Sequence, residues 1–199
     1  MAHEAKNFDH LLGKLQGISD NQLKQHFTLY QGYVKKINEI EEKLAKADKS
    51  APNYSFNEYS ELKRREPVPF NGTYLHELYF ENLTGGGAPP SDALKKAATE
   101  SFGTWDDLIK DARAAGTSTP GWVLLTRSRV DSKLHNYIVF EHHLNIPVHQ
   151  DIIMALDCWE HAFMIDFGIK KADYFDAFFK ACDWKMVSSR FDKFSKYTR

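Results

Sequence analysis

From Leu23 onward, apolar residues recur every three or four positions. Leu23, Phe27, Tyr30, Val34, Ile37 and Leu44 fall on one face of a helix, with Lys35, Lys36, Glu41 and Glu42 between them. Ser19-Asp20-Asn21-Gln22 ahead of them is a capping-box pattern, so the spacing predicts a long helix that Pro52 and Asn53 bring to an end within KADKSAPN. A shorter helix is expected over residues 56–65. Asn71-Gly72 then precedes another helical stretch, TYLHELYFENL, which the run GGGAPP at 85–90 terminates. That Gly/Pro run is the clearest linker. It predicts a boundary between an N-terminal helical hairpin domain, residues 1–86, and a C-terminal α/β domain, residues 87–199.

Beyond the linker the periodicity changes. Residues 91–115 read as helical, with Thr104 as the N-cap before WDDLIKDARAA. GWVLLTRS and KLHNYIVFEHH read as strands joined by a tight connection around Val130-Asp131, and IIMALD as a third strand. ADYFDAFFKAC and DWKMVSSRFDKF close the chain as helices. The fold class expected is α+β, with a three-stranded antiparallel sheet in the C-terminal half and no internal repeat.

Composition narrows the functions available. The 199 residues are 42% hydrophobic, enough for one substantial core or two small ones that share an interface. Lys plus Arg number 26 against 27 for Asp plus Glu, a formal net charge of −1, so no basic field exists to hold nucleic acid. No apolar run approaches membrane-spanning length, and the first residues lack the apolar core of a signal peptide. Cys158 and Cys182 have neither zinc-site spacing nor the density of a disulfide framework. The expectation is a soluble cytoplasmic protein with buried thiols and no membrane partner.

The candidate chemistry lies in the histidines. There are nine, and LDCWEHAFMIDFG at 156–168 places Asp157, Glu160 and His161 in a segment that otherwise reads as core. Burying three titratable groups is costly unless a partner or a metal neutralises them. His26 lies beside the apolar stripe of the first helix, and His76 sits among Tyr74, Leu75, Leu78, Tyr79 and Phe80. His142 and His143 are expected to end the second strand. Taken singly, each histidine is read more readily as a satisfied core residue. Together, three imidazoles and one carboxylate suit iron or manganese better than a thiolate-seeking metal, which makes a mononuclear metal site the candidate.

LDCWEHAFMIDFG resembles the D-x-W-E-H-A-[YF] signature of the iron/manganese superoxide dismutases. HELYFENLTGGGAPP, SFGTWDDL, GWVLL, KKADYFDAFF and DWKMVSSRF follow that family in order, so the resemblance covers nearly the whole chain. It implies dismutation of superoxide to dioxygen and hydrogen peroxide, one iron or manganese ion per subunit, and a homodimer or a dimer of dimers. His76, Asp157 and His161 match metal ligands, and Trp122 and Trp159 match aromatic residues packed around the metal. Glu160 matches a residue that crosses the dimer interface towards the partner's His161. Lys171 takes the place of a basic residue that steers the anionic substrate.

The chain departs from the family at several points. The family places two histidines together, with a tyrosine eight residues after the first, whereas here His26 precedes Tyr33 by seven and Gln25 by eight. His26 is the expected fourth ligand, since glutamine is a poor one. Tyr33 matches the tyrosine that gates the cavity, and Tyr30 stands where another histidine is common. Met164 replaces a frequent tyrosine. No glutamine occupies either of the usual positions beside the metal, and the spacing to Asp157 makes His142, rather than His143, the expected hydrogen-bond partner of solvent on the metal. Two other readings stay open: a non-enzymatic member of the fold, and a different mononuclear iron enzyme such as an oxygenase.

Overall fold

The computed structural model describes residues 2–195. Helix α1 (Asp20–Lys46) buries Leu23, His26, Phe27, Tyr30, Val34, Ile37, Ile40 and Leu44 on one face, as the apolar period requires. Its N-cap, Ser19, accepts the Gln22 N–H at 3.1 Å, which is half of the expected capping box. The other half is replaced. The Ser19 N–H donates to Asp166, and the Gln22 side chain turns inward instead.

Helix α2 (Glu58–Arg65) is capped by Asn57 and runs almost directly into α3 (Pro67–Glu81). The expected start of α3, after Asn71-Gly72, is corrected: the helix begins at Pro67 and carries Asn71-Gly72 inside it. Proline suits a first helical position because it has no N–H to satisfy and its φ is already helical. Gly72 is tolerated there because α3 packs tightly on α1. A Cβ at this position would lie 2.8 Å from Cδ1 of the Tyr33 ring.

The C-terminal half opens with α4 (Asp92–Phe102) and α5 (Trp105–Thr117), capped by Ser91 and Thr104. Strands β1 (Trp122–Ser128), β2 (Leu134–Val139) and β3 (Gln150–Asp157) form one antiparallel sheet in the order β2-β1-β3. The second strand is shorter than its sequence pattern. It stops at Val139, and residues 140–149 form a bent loop in which Asn145 and His149 take left-handed φ values of 66° and 54°. A short 3₁₀ turn (Glu160–Ala162), the one-turn helix α6 (Met164–Phe167), α7 (Lys171–Ala181) and α8 (Trp184–Ser195) complete the order.

One hydrophobic cluster runs through both halves, from Leu23, Tyr30 and Phe80 to Trp122, Leu156 and Phe178. Helix α3 packs on both α1 and β3, so it is the layer through which the two halves share a core. Among the described residues no helix is long and apolar enough to cross a membrane.

Gly121, just ahead of β1, shows how tightly the sheet end is closed. A Cβ there would lie 2.1 Å from the Val139 carbonyl oxygen, which is fixed backbone. Gly121→Ala should therefore cost at least about 2 kcal/mol, visible as a lower denaturant midpoint. An unchanged midpoint would show that the β1–β2 end is free to shift.

Candidate metal centre

Four elements meet at one point. His26 comes from α1, His76 from α3, Asp157 from the last position of β3, and His161 from the 3₁₀ turn that follows. One ligand atom from each lies within 4.8 Å of all the others. The Oδ2 oxygen of Asp157 is 3.1 Å from Nε2 of His26, 3.1 Å from Nε2 of His161 and 3.6 Å from Nε2 of His76. His76 and His161 are 3.4 Å apart through their Nε2 atoms. Gln25 lies on the solvent face of α1, and the helix is regular through this stretch, so His26 alone reaches the cluster.

Hydrogen bonds around the cluster orient its members. The Nδ1–H of His76 donates to the Gly72 carbonyl at 2.5 Å, which leaves the Nε2 lone pair facing inward. Asp157 Oδ1 accepts the Trp159 N–H at 2.9 Å, which keeps Oδ2 for the cluster. The Tyr174 hydroxyl donates to the Asp157 carbonyl at 2.7 Å. Gln22 donates to the His161 carbonyl at 2.5 Å and accepts the Ile165 N–H at 3.1 Å, tying α1 to the turn that carries His161. Sequence reading missed Gln22, Tyr174 and Gly72 as supports. Only Gln22 left a trace, as a capping-box residue with a second use.

Burial lowers the pKa of His26 and drives that of His76 well below the ordinary imidazole value, so both are neutral imidazoles at neutral pH. Burial also works against ionisation of Asp157, but His161 and His26 outweigh it and hold the carboxyl well below the usual range. The donor set is thus a carboxylate and inward-facing imidazoles, with Asp157, His26 and His76 at most 1% exposed. The residues present fit a metal ion. Two donors bound at about 2.1 Å lie roughly 3.0 Å apart at a right angle and about 3.6 Å apart at 120°, a range that contains the four separations given above.

Around this centre, Trp122 is fully buried and sits opposite Asp157 in the β1–β3 register. Its ring meets that of His76 edge-on at 5.0 Å, and Trp159 stacks on His161 at 6.3 Å. Tyr33 packs on His76 at 5.3 Å. Tyr30 is one layer further out: its hydroxyl donates to Glu77 and accepts the Lys6 N–H, both at 2.9 Å. Glu160 is exposed, and Lys171 donates to the Thr119 carbonyl at 2.6 Å. Pro120, Trp159, Glu160, His161 and Lys171 share the lining of a cleft of about 670 Å³.

His142 and His143 lie in the loop after β2 and not on the strand, so strand alternation does not separate them. His142 is buried, with Nδ1 accepting from the Trp122 indole at 2.9 Å and Nε2 2.6 Å from the Tyr33 hydroxyl. Both its nitrogens therefore have protein partners, one in Trp122 and one in Tyr33. His143 has a buried Nδ1 without a hydrogen-bond partner among the described residues.

Residues 90–190 match the family model described as iron/manganese superoxide dismutases, C-terminal domain. The chain is 39% identical to a superoxide dismutase [Fe] of Aquifex pyrophilus and 38% identical to one of Aquifex aeolicus, each over 98% of this chain and 94% of the relative. It is 33% identical to a superoxide dismutase [Mn] of Haloarcula marismortui, over 84% of this chain and 82% of the relative.

The buried imidazoles set a pH dependence. His142 is lowered to about 4, chiefly by burial, alongside His26 and His76. An unfolded imidazole takes up a proton near pH 6.5, where these folded ones do not, so the unfolded chain binds more protons as the pH falls. The stability they contribute is therefore complete above about pH 6.5 and is lost below it, by up to about 1.4 kcal/mol per pH unit for each group. Denaturation of the metal-free protein at about pH 7.5 and pH 5.5 should show this loss, and His76→Gln should reduce it. Equal stability at both values would contradict neutral burial.

Proposed function

The chain belongs to the iron/manganese superoxide dismutases, and on that premise we propose that His26, His76, Asp157 and His161 hold its one iron or manganese ion. The reaction disproportionates two superoxide ions to dioxygen and hydrogen peroxide. The convergence of three imidazoles and one carboxylate within 4.8 Å carries the assignment of the site. When bound, the ion supplies the one-electron chemistry, alternating between trivalent and divalent states.

The protein residues have the remaining tasks. Forming hydrogen peroxide consumes two protons for each pair of superoxide ions, so a donor beside the cavity is needed. Tyr33 suits that role. Burial, with the charges of Asp157 and Glu141 nearby, pushes its phenol up to about 12, so it keeps its proton at neutral pH. His142 bonds that hydroxyl, while Trp122 and Trp159 wall the site against water and Tyr30 buttresses the α1–α3 side. The ammonium of Lys171, in the cleft beside His161, supplies local positive charge for an anionic substrate despite the balanced total.

We also propose a homodimer, or a dimer of dimers. His161 is the most exposed of the four, its side chain 24% accessible, and exposed Glu160 stands next to it. In a two-fold pair Glu160 would reach His161 of the partner subunit, with the exposed Met164 and Ile165 adding apolar area. The halves divided near residue 86 are read as two domains sharing one core across the site. Cys158 and Cys182 are buried and unbridged, which supports a reducing compartment such as the cytoplasm.

Elemental analysis combined with a superoxide assay tests the reading. About one iron or manganese ion per chain with dismutase activity is expected. A loaded but inactive chain would favour a non-enzymatic member, and oxygenation of an organic compound would favour the other alternative. His161→Ala should abolish stoichiometric metal binding and weaken the dimer, measured by metal content and light scattering. Full activity in that variant would sink the site assignment. Tyr33→Phe should leave metal content near normal and lower turnover by on the order of tenfold. Collapse of metal content instead would make Tyr33 a structural residue.

A further inference from the structure

Both nitrogens of His142 face groups whose hydrogen-bonding character can be assigned. An indole N–H only donates. That of Trp122 lies 2.9 Å from His142 Nδ1, so a proton on Nδ1 would set two donors against each other. Nδ1 therefore carries the lone pair, and the single proton of the imidazole is on Nε2. Nε2 is 2.6 Å from the Tyr33 oxygen and donates to it. The Tyr33 oxygen is then an acceptor towards His142, and the phenolic proton is directed away from that imidazole. Among the described residues the hydroxyl makes no other hydrogen bond, and its ring lies against metal-ligand His76.

We propose that Trp122 is a positioning residue for proton delivery: its indole N–H locks His142 in the Nε2–H tautomer, which obliges Tyr33 to present its proton to the metal cavity. The destination of the proton rests on the metal-site reading above, whereas the tautomer does not. Trp122 is also fully buried and packs edge-on against His76, so it has a packing role as well. Packing alone needs an aromatic ring of that size and is indifferent to the tautomer of His142. The N–H is what distinguishes the two roles.

Trp122→Phe separates them. Without the indole donor, Nδ1 gains no stability from remaining unprotonated, and the imidazole can carry its proton there and accept from Tyr33 through Nε2. The direction of the Tyr33–His142 bond would then reverse, and the phenol would spend its proton on His142. Nitrogen-15 spectra of the full chain loaded with zinc, a diamagnetic ion that suits nitrogen and oxygen ligands, report which imidazole nitrogen is protonated. His142→Gln identifies the signals.

In the wild type, Nε2 should be protonated and Nδ1 not, and Trp122→Phe should shift the population towards Nδ1–H. Tyr33→Phe should leave the Nε2–H form in place, because Trp122 and not Tyr33 sets it. In the iron-loaded or manganese-loaded enzyme, Trp122→Phe should lower kcat by on the order of tenfold, with normal metal content and little change in kcat/KM. A wild-type His142 protonated on Nδ1 overturns the proposal even if the tryptophan variant does not fold. So does a tautomer that changes in Tyr33→Phe or stays fixed in Trp122→Phe. If the iron-loaded and manganese-loaded proteins both lacked dismutase activity, the functional reading would fail while the tautomer result from the zinc-loaded chain stood on its own.

Discussion

A carboxylate with no exposure, set against His26 and His76, two imidazoles that burial keeps neutral, is the constraint on which the rest of this structure depends. An isolated buried anion is among the costliest groups a fold can hold, and here His161 and His26 offset that cost by hydrogen bonds to Asp157. A cation among the four donors removes that cost, and the donor set then becomes the reason for the arrangement. Hydrogen bonds within the fold orient the donors. Gly72 fixes the tautomer of His76, Trp159 occupies the second oxygen of Asp157, and Gln22 holds the turn that carries His161.

The four donors come from both halves of the chain, which couples folding to the site. His26 and His76 belong to helices that pack on each other before the linker. Asp157 and His161 follow the central sheet. Helix α3 touches both α1 and β3, so no donor can move far without disturbing a shared core. Buried polar groups reinforce this join. Asn82 donates to the Ala155 carbonyl at 3.0 Å and accepts from Arg190 at 2.6 Å, linking the end of α3 to β3 and α8. Metal affinity and stability are therefore expected to share a free-energy origin.

Much of this was legible in the residues, for reasons that can be separated. The face of α1 followed from its 3.6-residue period, which is set locally. The sheet was legible because its strands carry aliphatic runs between turn residues. What failed was local sequence with a tertiary use. Asn71-Gly72 reads as a helix break, but Gly72 is there so that Tyr33 can approach α3. Gln22 reads as a cap, but its side chain crosses to the 160s segment. The β pattern in KLHNYIVFEHH continues past Val139, while the backbone turns off so that His142 can meet Trp122 and Tyr33. The convergence of His26 and His76 on the Asp157–His161 pair could not be obtained from spacing, since those residues lie 81 or more positions apart in the chain.

The replacement of an amide by an imidazole next to Tyr33 alters more than size. An amide side chain carries two N–H donors and a carbonyl acceptor, so it can bond an indole, a phenol and a third group at once. A neutral imidazole has one donor and one acceptor, and His142 uses both on Trp122 and Tyr33. Within this trio, on the proposed reading, a bond to a species in the cavity would come from Tyr33 and not from His142. On the proposed reading the proton path is serial, with a direction fixed by the indole N–H, where an amide would allow a branched one. A serial path makes Tyr33 the only member of this trio facing the cavity chemistry, so influences on its phenol reach the reaction undiluted. Glu141, whose charge raises that phenol's pKa, is one such influence on the solvent side.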